Sequence, residues 1–509
     1  MESKTETGTD IILATINAKW IHPSLALRLL KANLGSLQSR CVILEFALRQ
    51  NETEKITPIL AARPKILGLS VSIWNHKATL DLLKSLFARW NEDDRPWVVL
   101  GGPEVSWLER DTEIFLYADY VIRGEAEFAF RALCEKLMDS IPGKEPLIKP
   151  PHDKAPHGKA VVQFIEADLP DLSSLASPYD LYTSDDLGQR LIYAESSRGC
   201  AFKCDFCLSS LDKSVREFPL DIFLSDMEKL LKRASSLRSG EADHMSLFHF
   251  KTIKFLDRSF NLSPERAVKI LEFFLDRIND GFTNFCVHFE MVPCNFTLEL
   301  QNILRLFPSG SLRIELGIQT LNPQTAAHIN RAGNADEALK VLAFLREETN
   351  AIVHADLIAG LPGEDMVSFG NGFDRLWAAM TGLAHNAGLN SRGTESLEIQ
   401  PGILKLLPGT PMARHTNPFG MKYAAEAPYE LIENTAIPSA EMERLKNFAR
   451  FWELLVNRNH FSKEISRIIH PGEPVFHRFM ELADNLLGRF GRNWGIDRED
   501  IRQALTALG

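Results

Sequence analysis

The chain lacks most of the features that would assign it to a class at a glance. Its 509 residues contain no stretch of about 18 uninterrupted apolar residues, so no transmembrane helix is expected. The opening residues, MESKTETGTD, have no apolar core of the kind a signal peptide carries, and the expected location is cytoplasmic. Positive charge is not in excess. With 57 Lys and Arg against 67 Asp and Glu, the net charge is −10, which gives no electrostatic footprint for nucleic acid or an anionic membrane. Internal repeats and low-complexity tracts are absent. Cysteine is scarce and odd in number, seven in all, so a disulfide framework is excluded.

The composition that remains is ordinary for a globular protein: 45% apolar and 24% charged residues. The length is too great for one core and argues for two or three domains. Residues 10–140 alternate short apolar runs with amphipathic stretches. The runs IILATI, CVILEFAL, KILGLSVSI, WVVLGG and DYVIRG read as buried parallel strands, each followed by a helical pattern. Five such units imply a doubly wound, Rossmann-like α/β sheet, whose ligands bind beyond the carboxyl ends of the strands. Those ends carry Asn17, Ser70, Ser72, Gly101, Gly102, Gly124 and Glu125.

Residues 141–185 then turn rich in Pro, Lys and His and read as a linker. From 186 to about 405 the alternation resumes with six strand candidates, beginning at LIYAES and ending at LEIQPGIL. This predicts a partial (βα)6 barrel, with its chemistry at the carboxyl ends of the strands. Residues 406–509 lose the strands and predict a helical C-terminal domain. The expected organisation is therefore 1–140, a 141–185 linker, 186–405 and 406–509.

Three of the seven cysteines crowd into RGCAFKCDFC, as Cys200, Cys204 and Cys207, directly after the first strand of the second set. The other four, Cys41, Cys134, Cys286 and Cys294, lie in apolar surroundings or alone and read as small buried hydrophobes. Structural zinc takes four ligands, and none of the local residues supplies a fourth; His22 or His288 is available, although no spacing argues for either. A [4Fe–4S] cluster is normally held by four thiolates, so three would leave one iron open to an exogenous ligand. An electron carrier or redox sensor built on such a cluster is the non-enzymatic alternative.

The Cys-x3-Cys-x-Phe-Cys motif, with Phe206 as its aromatic, resembles the signature of the radical S-adenosylmethionine enzymes. The segments FLDRSFN, IELGIQTLNPQTAAHINR and DLIAGLPGE resemble later strands and loops of that superfamily. The resemblance implies that Cys200, Cys204 and Cys207 hold a [4Fe–4S] cluster. Its open iron would bind S-adenosylmethionine, and reductive cleavage would yield a 5′-deoxyadenosyl radical. Phe206, Asp257, Glu315, Gln319 and Arg331 are the implied contacts of the cosubstrate. A reductant such as flavodoxin or ferredoxin is implied as partner.

The stretch VVLGGPEVSW with DYVIRGEAEFAFRAL resembles the cobalamin-binding domain fused upstream of many such enzymes. Asn17, Ser70, Ser72, Gly101, Gly102, Gly124 and Glu125 become its implied cobalamin contacts. The two glycines at 101 and 102 would let the corrin or its nucleotide tail approach the backbone. No Asp-x-His-x-x-Gly motif occurs in residues 1–190, so no histidine is expected beneath the cobalt. The C-terminal stretch resembles a subgroup of cobalamin-binding radical enzymes with an uncharacterised helical domain. The implied reaction is methylation of an unactivated carbon of a small or medium metabolite. A radical rearrangement or cyclisation with the same cofactors is the alternative, and no nucleic-acid substrate is expected.

Overall fold

A computed structural model describes residues 9–91, 94–139, 162–212, 214–236, 251–282, 285–382, 397–470 and 473–508. The chain forms two compact units, Met1–Ala194 with Glu217–Met245, and Glu195–Arg216 with Ser246–Gly509.

The first unit is built on six parallel strands: β1 (Ile11–Asn17), β2 (Cys41–Ala47), β3 (Ile66–Ser70), β4 (Trp97–Gly101), β5 (Tyr120–Arg123) and β6 (Gln163–Glu166). They lie in the order β2-β1-β3-β4-β5-β6, so the winding reverses between β1 and β3. Alternate residues of each strand feed opposite cores. Ile12, Ala14 and Ile16 of β1 pack with Ile56, Ile59, Leu82 and Leu86 of the helices Glu52–Ala62 and His76–Phe87. Ile11 and Leu13 pack instead with Leu27, Phe130 and Leu133 of the helices Leu25–Ala32 and Glu127–Met138. Cys41 and Cys134 belong to this second core, and burial pushes the Cys41 thiol up to about 12.

The helix starts are set by local chemistry. Ser24 accepts from the Leu27 amide, and Asn51 forms a reciprocal capping box with Glu54. The sixth strand falls in the stretch read as a linker. It is four residues long, half polar and pairs only with β5, which is why a hydrophobic pattern does not reveal it. Most of that Pro- and Lys-rich stretch, residues 141–161, lies outside the described residues.

The second unit carries five parallel strands in chain order: Lys251–Phe255, Phe285–Met291, Leu312–Gln319, Ile352–Ala359 and Leu397–Ile403. The first of the six strand candidates forms as Ile192–Ala194. The helices Pro264–Asn279, Leu298–Leu306, Ala335–Glu348 and Met366–Thr381 connect successive strands. In Leu312–Gln319, Leu312, Ile314, Leu316 and Ile318 are buried, while Arg313, Glu315, Gly317 and Gln319 are half-buried. One face is thus apolar and the other polar. The C-terminal helices Ser439–Trp452 and Phe476–Phe490 close on Met366–Thr381 through Phe373, Phe448, Trp452, Phe476 and Phe479, whose rings meet edge-on or tilted except for the stacked pair Phe448 and Trp452. Among the described residues no helix is long and apolar enough to cross a membrane.

Candidate active site

The cysteine loop follows Gly199, which has φ +87°; a Cβ there would sit 2.0 Å from the Ser214 carbonyl oxygen. Only glycine allows that backbone crossing. Cys204 is buried, and Cys200 and Cys207 are half-buried. The Cys207 amide donates to the Cys204 carbonyl at 3.1 Å, folding the second half of the motif into a turn. Among the described residues no three His, Cys, Asp or Glu side chains converge as they would around one metal ion. Thiols that hold different irons of a cluster need no such convergence.

Burial pushes the Cys200 and Cys204 thiols up, and their mutual proximity with Cys207 adds to this. Arg331 opposes the shift at Cys204: its Nη1 donates to Cys204 Sγ at 3.4 Å. The same guanidinium donates from Nε to the Ile318 carbonyl at 3.3 Å and from Nη2 to the Gly317 carbonyl. A donor set of three soft thiols, beside one guanidinium and with no fourth cysteine in the loop, fits an iron–sulfur cluster with one open iron.

Gln319, at φ +70°, ends its strand at an irregularity in the pairing. Its amide and Arg331 both lie over Gly317, where a Cβ would stand 2.9 Å and 3.6 Å from them. Glu315, four residues earlier on the same face, is bonded to Lys254 at 3.1 Å and lies 3.2 Å from His288 Nε2. Burial raises the Glu315 carboxyl, but these neighbours outweigh it and hold it well below the usual range. Phe206 is half-buried in the loop. Asp257 is fully buried and already engaged: it accepts from the Ser196 amide at 2.9 Å, the Ser196 hydroxyl at 2.6 Å and the Ser197 hydroxyl at 2.7 Å. It therefore braces the peptide that leads into the cysteine loop.

Pairing register extends the polar face across the sheet. Glu290 lies opposite Glu315, Glu315 opposite His354, and His354 opposite Glu398. His354 bonds Asp356 at 2.9 Å and Glu398 at 3.1 Å. Although burial acts to lower it, these carboxylates raise its pKa to about 9. Arg313 also pairs with Glu398.

The sequence motif did not single out Asp205, between Cys204 and Cys207. It is 1% exposed and bonded to His415, Arg414 and Asn330. Its partners lie up to 210 residues away, so no local spacing announces them.

In the first unit, the carboxyl ends of β1, β3 and β4 bear three exposed tryptophans: Trp20 (41%), Trp74 (54%) and Trp107 (47%). Asn75, fully buried, ties this edge together. It donates to the Ile16 carbonyl at 3.0 Å and the Ser70 carbonyl at 3.2 Å, and accepts from the Ser72 amide at 2.7 Å. Asn17 is buried and donates to Glu45 at 3.4 Å. Gly102 has φ +108°, and a Cβ there would meet the Val71 carbonyl oxygen at 2.5 Å. The neighbouring loop, within this sheet edge, thus already demands glycine at 102. Gly101 has more room, its nearest neighbour being the Ile122 carbonyl at 3.7 Å. Gly124 is exposed and Glu125 half-buried. His22 is bonded to the Tyr193 hydroxyl at 2.8 Å.

Comparison with known proteins gives three matches along the chain. Residues 11–134 match the B12 binding domain, residues 195–374 the Radical SAM superfamily, and residues 417–498 a family of proteins of unknown function (DUF4080). An uncharacterized methyltransferase of Pyrococcus horikoshii, PH0819, is 29% identical over 213 residues, covering 41% of this chain and 42% of its own. The chain thus spans less than half the length of that relative. Two solved structures share the fold. One is the cobalamin-dependent S-adenosylmethionine radical enzyme OxsB with aqua-cobalamin and S-adenosylmethionine bound (TM-score 0.61, 12% identity, 97% of this chain and 78% of that one). The other is the radical S-adenosylmethionine methyltransferase TsrM of Kitasatospora setae, with tryptophan and a cosubstrate analogue bound (TM-score 0.53, 17% identity, 79% and 75%).

Proposed function

We propose that this chain, a radical S-adenosylmethionine enzyme with a B12-binding domain, transfers a methyl group to an unactivated carbon of a small or medium metabolite. The observation that carries the reading is the joining of a three-thiol loop, with a guanidinium on its buried cysteine, to a doubly wound domain with an aromatic carboxyl edge. The methyltransferases among its relatives support the choice of reaction.

When bound, a reduced cluster supplies one electron to cleave S-adenosylmethionine, and cobalamin supplies a carrier for the methyl group. Cys200, Cys204 and Cys207 would hold three irons. Asp257, through Ser196 and Ser197, holds the peptide entering the loop. Glu315 and Gln319 stand on the polar strand face and would hold the amino, carboxylate or ribose groups of the cosubstrate, and Phe206 of the cysteine loop would be a further contact. Arg331 is largely engaged by Cys204, Ile318 and Gly317, so its contribution to the cosubstrate is one of field and position. In the other unit, Asn17, Ser70, Ser72, Gly101, Gly124 and Glu125 line the edge where the corrin would lie, on indole rings that suit a flat macrocycle. Gly102 serves that edge by admitting the Val71 backbone. Flavodoxin or ferredoxin would deliver the electron.

The test is anaerobic reconstitution with iron, sulfide and hydroxocobalamin, followed by absorption and electron paramagnetic resonance spectra with and without S-adenosylmethionine. A cluster signal that shifts on adding S-adenosylmethionine, a bound corrin, and formation of both S-adenosylhomocysteine and 5′-deoxyadenosine support the proposal. Formation of 5′-deoxyadenosine alone would replace methyl transfer by rearrangement or cyclisation. A Cys204→Ser variant that still assembles a full cluster would remove the cysteine assignment.

A further inference from the structure

We infer that the segment Pro411–His415 is a latch that seats the cysteine loop, with Asp205 and His415 as its positioning residues. The inference rests on reading Cys200, Cys204 and Cys207 as cluster ligands. It assigns a role to a stretch that lies just before the C-terminal region of unknown function.

Every polar group of Asp205 is taken by one of two other segments of the same unit. Its Oδ2 accepts from His415 Nε2 at 2.7 Å and Arg414 Nη2 at 2.6 Å. Its Oδ1 accepts from Asn330 Nδ2 at 3.0 Å. Its amide donates to the Ile329 carbonyl, and its carbonyl accepts from the Met412 amide, both at 3.0 Å. A buried carboxylate with so many donors is costly to build and costly to break, because removing one donor leaves charge without compensation. Asp205 adjoins Cys204 in the chain and stands two residues from Cys207. Its position therefore fixes theirs.

The latch is itself held. Met412 is fully buried, and the His415 ring packs 5.8 Å from Phe419, which lies 5.1 Å from His328. Residues 329–331 complete the clamp: Ile329 and Asn330 bond Asp205, and Arg331 bonds Cys204. Three thiols must be presented at fixed separations to hold a cluster. A free loop would lose its conformational freedom at the moment of loading, whereas a latched one has lost it on folding.

The test uses the full chain without iron. Each cysteine's rate of alkylation by iodoacetamide is followed by peptide mass spectrometry in wild type and in His415→Leu, His415→Gln and Arg414→Leu. Loss of a charge-assisted bond is expected to raise the Cys204 and Cys207 rates about tenfold or more in His415→Leu. Cys41 and Cys286 should keep their slow rates. His415→Gln retains a donor and should restore near-wild-type protection. Rates at Cys204 and Cys207 within about twofold of wild type in His415→Leu would overturn the latch. Should Cys41 and Cys286 open as well, Arg414→Leu decides, because Arg414 is half exposed: faster alkylation of Cys204 supports the latch and no change overturns it. These rates need no cluster. A protected loop that never binds iron would sink the proposed function and leave the latch standing.

Discussion

Arg331 donates to the sulfur of Cys204 at 3.4 Å while its other nitrogens bond the carbonyls of Ile318 and Gly317. The guanidinium is thus aimed by the strand end and carries positive charge to the most buried of the three thiols.

Hydrogen bonds to cluster sulfurs raise reduction potential, since they stabilise the more negative, reduced state. Replacing Arg331 by Met should lower the potential of the reconstituted cluster by on the order of 60 mV, about tenfold in a one-electron equilibrium. Potentiometric titration followed by electron paramagnetic resonance checks this. An unchanged potential would restrict Arg331 to strand-end packing.

The exposed indoles of the first unit give a signal for corrin. Titration with hydroxocobalamin should quench tryptophan fluorescence, because the corrin absorbs where indole emits. Trp74→Leu should weaken binding by about tenfold, the scale of one lost aromatic contact of roughly 1.4 kcal/mol. Equal affinity in the variant would place the corrin elsewhere.

Two charge pairs of the first unit should respond very differently to truncation. Glu45 accepts from Arg28 at 3.1 Å and Arg190 at 2.6 Å, and all three side chains are nearly buried. Glu45→Ala leaves Arg28 and Arg190 to share Asp186 alone and should cost about 1.5–3 kcal/mol in denaturant unfolding of this unit. Glu52 pairs with Arg89 where both are about half exposed, and Glu52→Ala should change stability by only about 0.5 kcal/mol.

Glu364 supplies a pH test. It is 2% exposed; one carboxyl oxygen accepts from Thr320 at 2.8 Å, and the other has no hydrogen-bond partner among the described residues. Burial pushes its pKa up to about 7 from 4.5. The folded value lies above the unfolded one, so its stabilising contribution is complete below about 4.5 and is lost as pH rises through 7. Glu364→Gln should abolish that part of the slope, gaining on wild type in melting temperature between pH 5 and pH 8. His354, raised to about 9, acts with the same sign at higher pH: its contribution is complete below about 6.5 and lost as pH rises through 9.

The sequence disclosed those parts whose cause is local. Apolar runs of five or more residues, such as Ile11–Asn17 and Trp97–Gly101, declare buried parallel strands, and three cysteines within eight residues declare a shared ligand. Gln163–Glu166 escaped because a short edge strand is specified by its partner. Asp205 escaped because its meaning comes from Asn330, Arg414 and His415, which only folding brings to it. Asp257 was legible as a strand-end carboxylate, but its commitment to Ser196 and Ser197 was not. Glycine at 102 was legible as a close approach, although the approaching group is the chain itself.

The chain enters the second unit at Glu195, leaves it after Arg216 and returns at Ser246. The first unit is therefore unfinished when its sixth strand has formed: it still awaits the helix Leu220–Ser236, whose Arg233 donates to the carbonyls of Tyr179 and Tyr182. During synthesis the three cysteines emerge from the ribosome before the unit that precedes them can close. The thiols are thus born ahead of both folded bodies, and cleavage after Ala194 would release an incomplete protein.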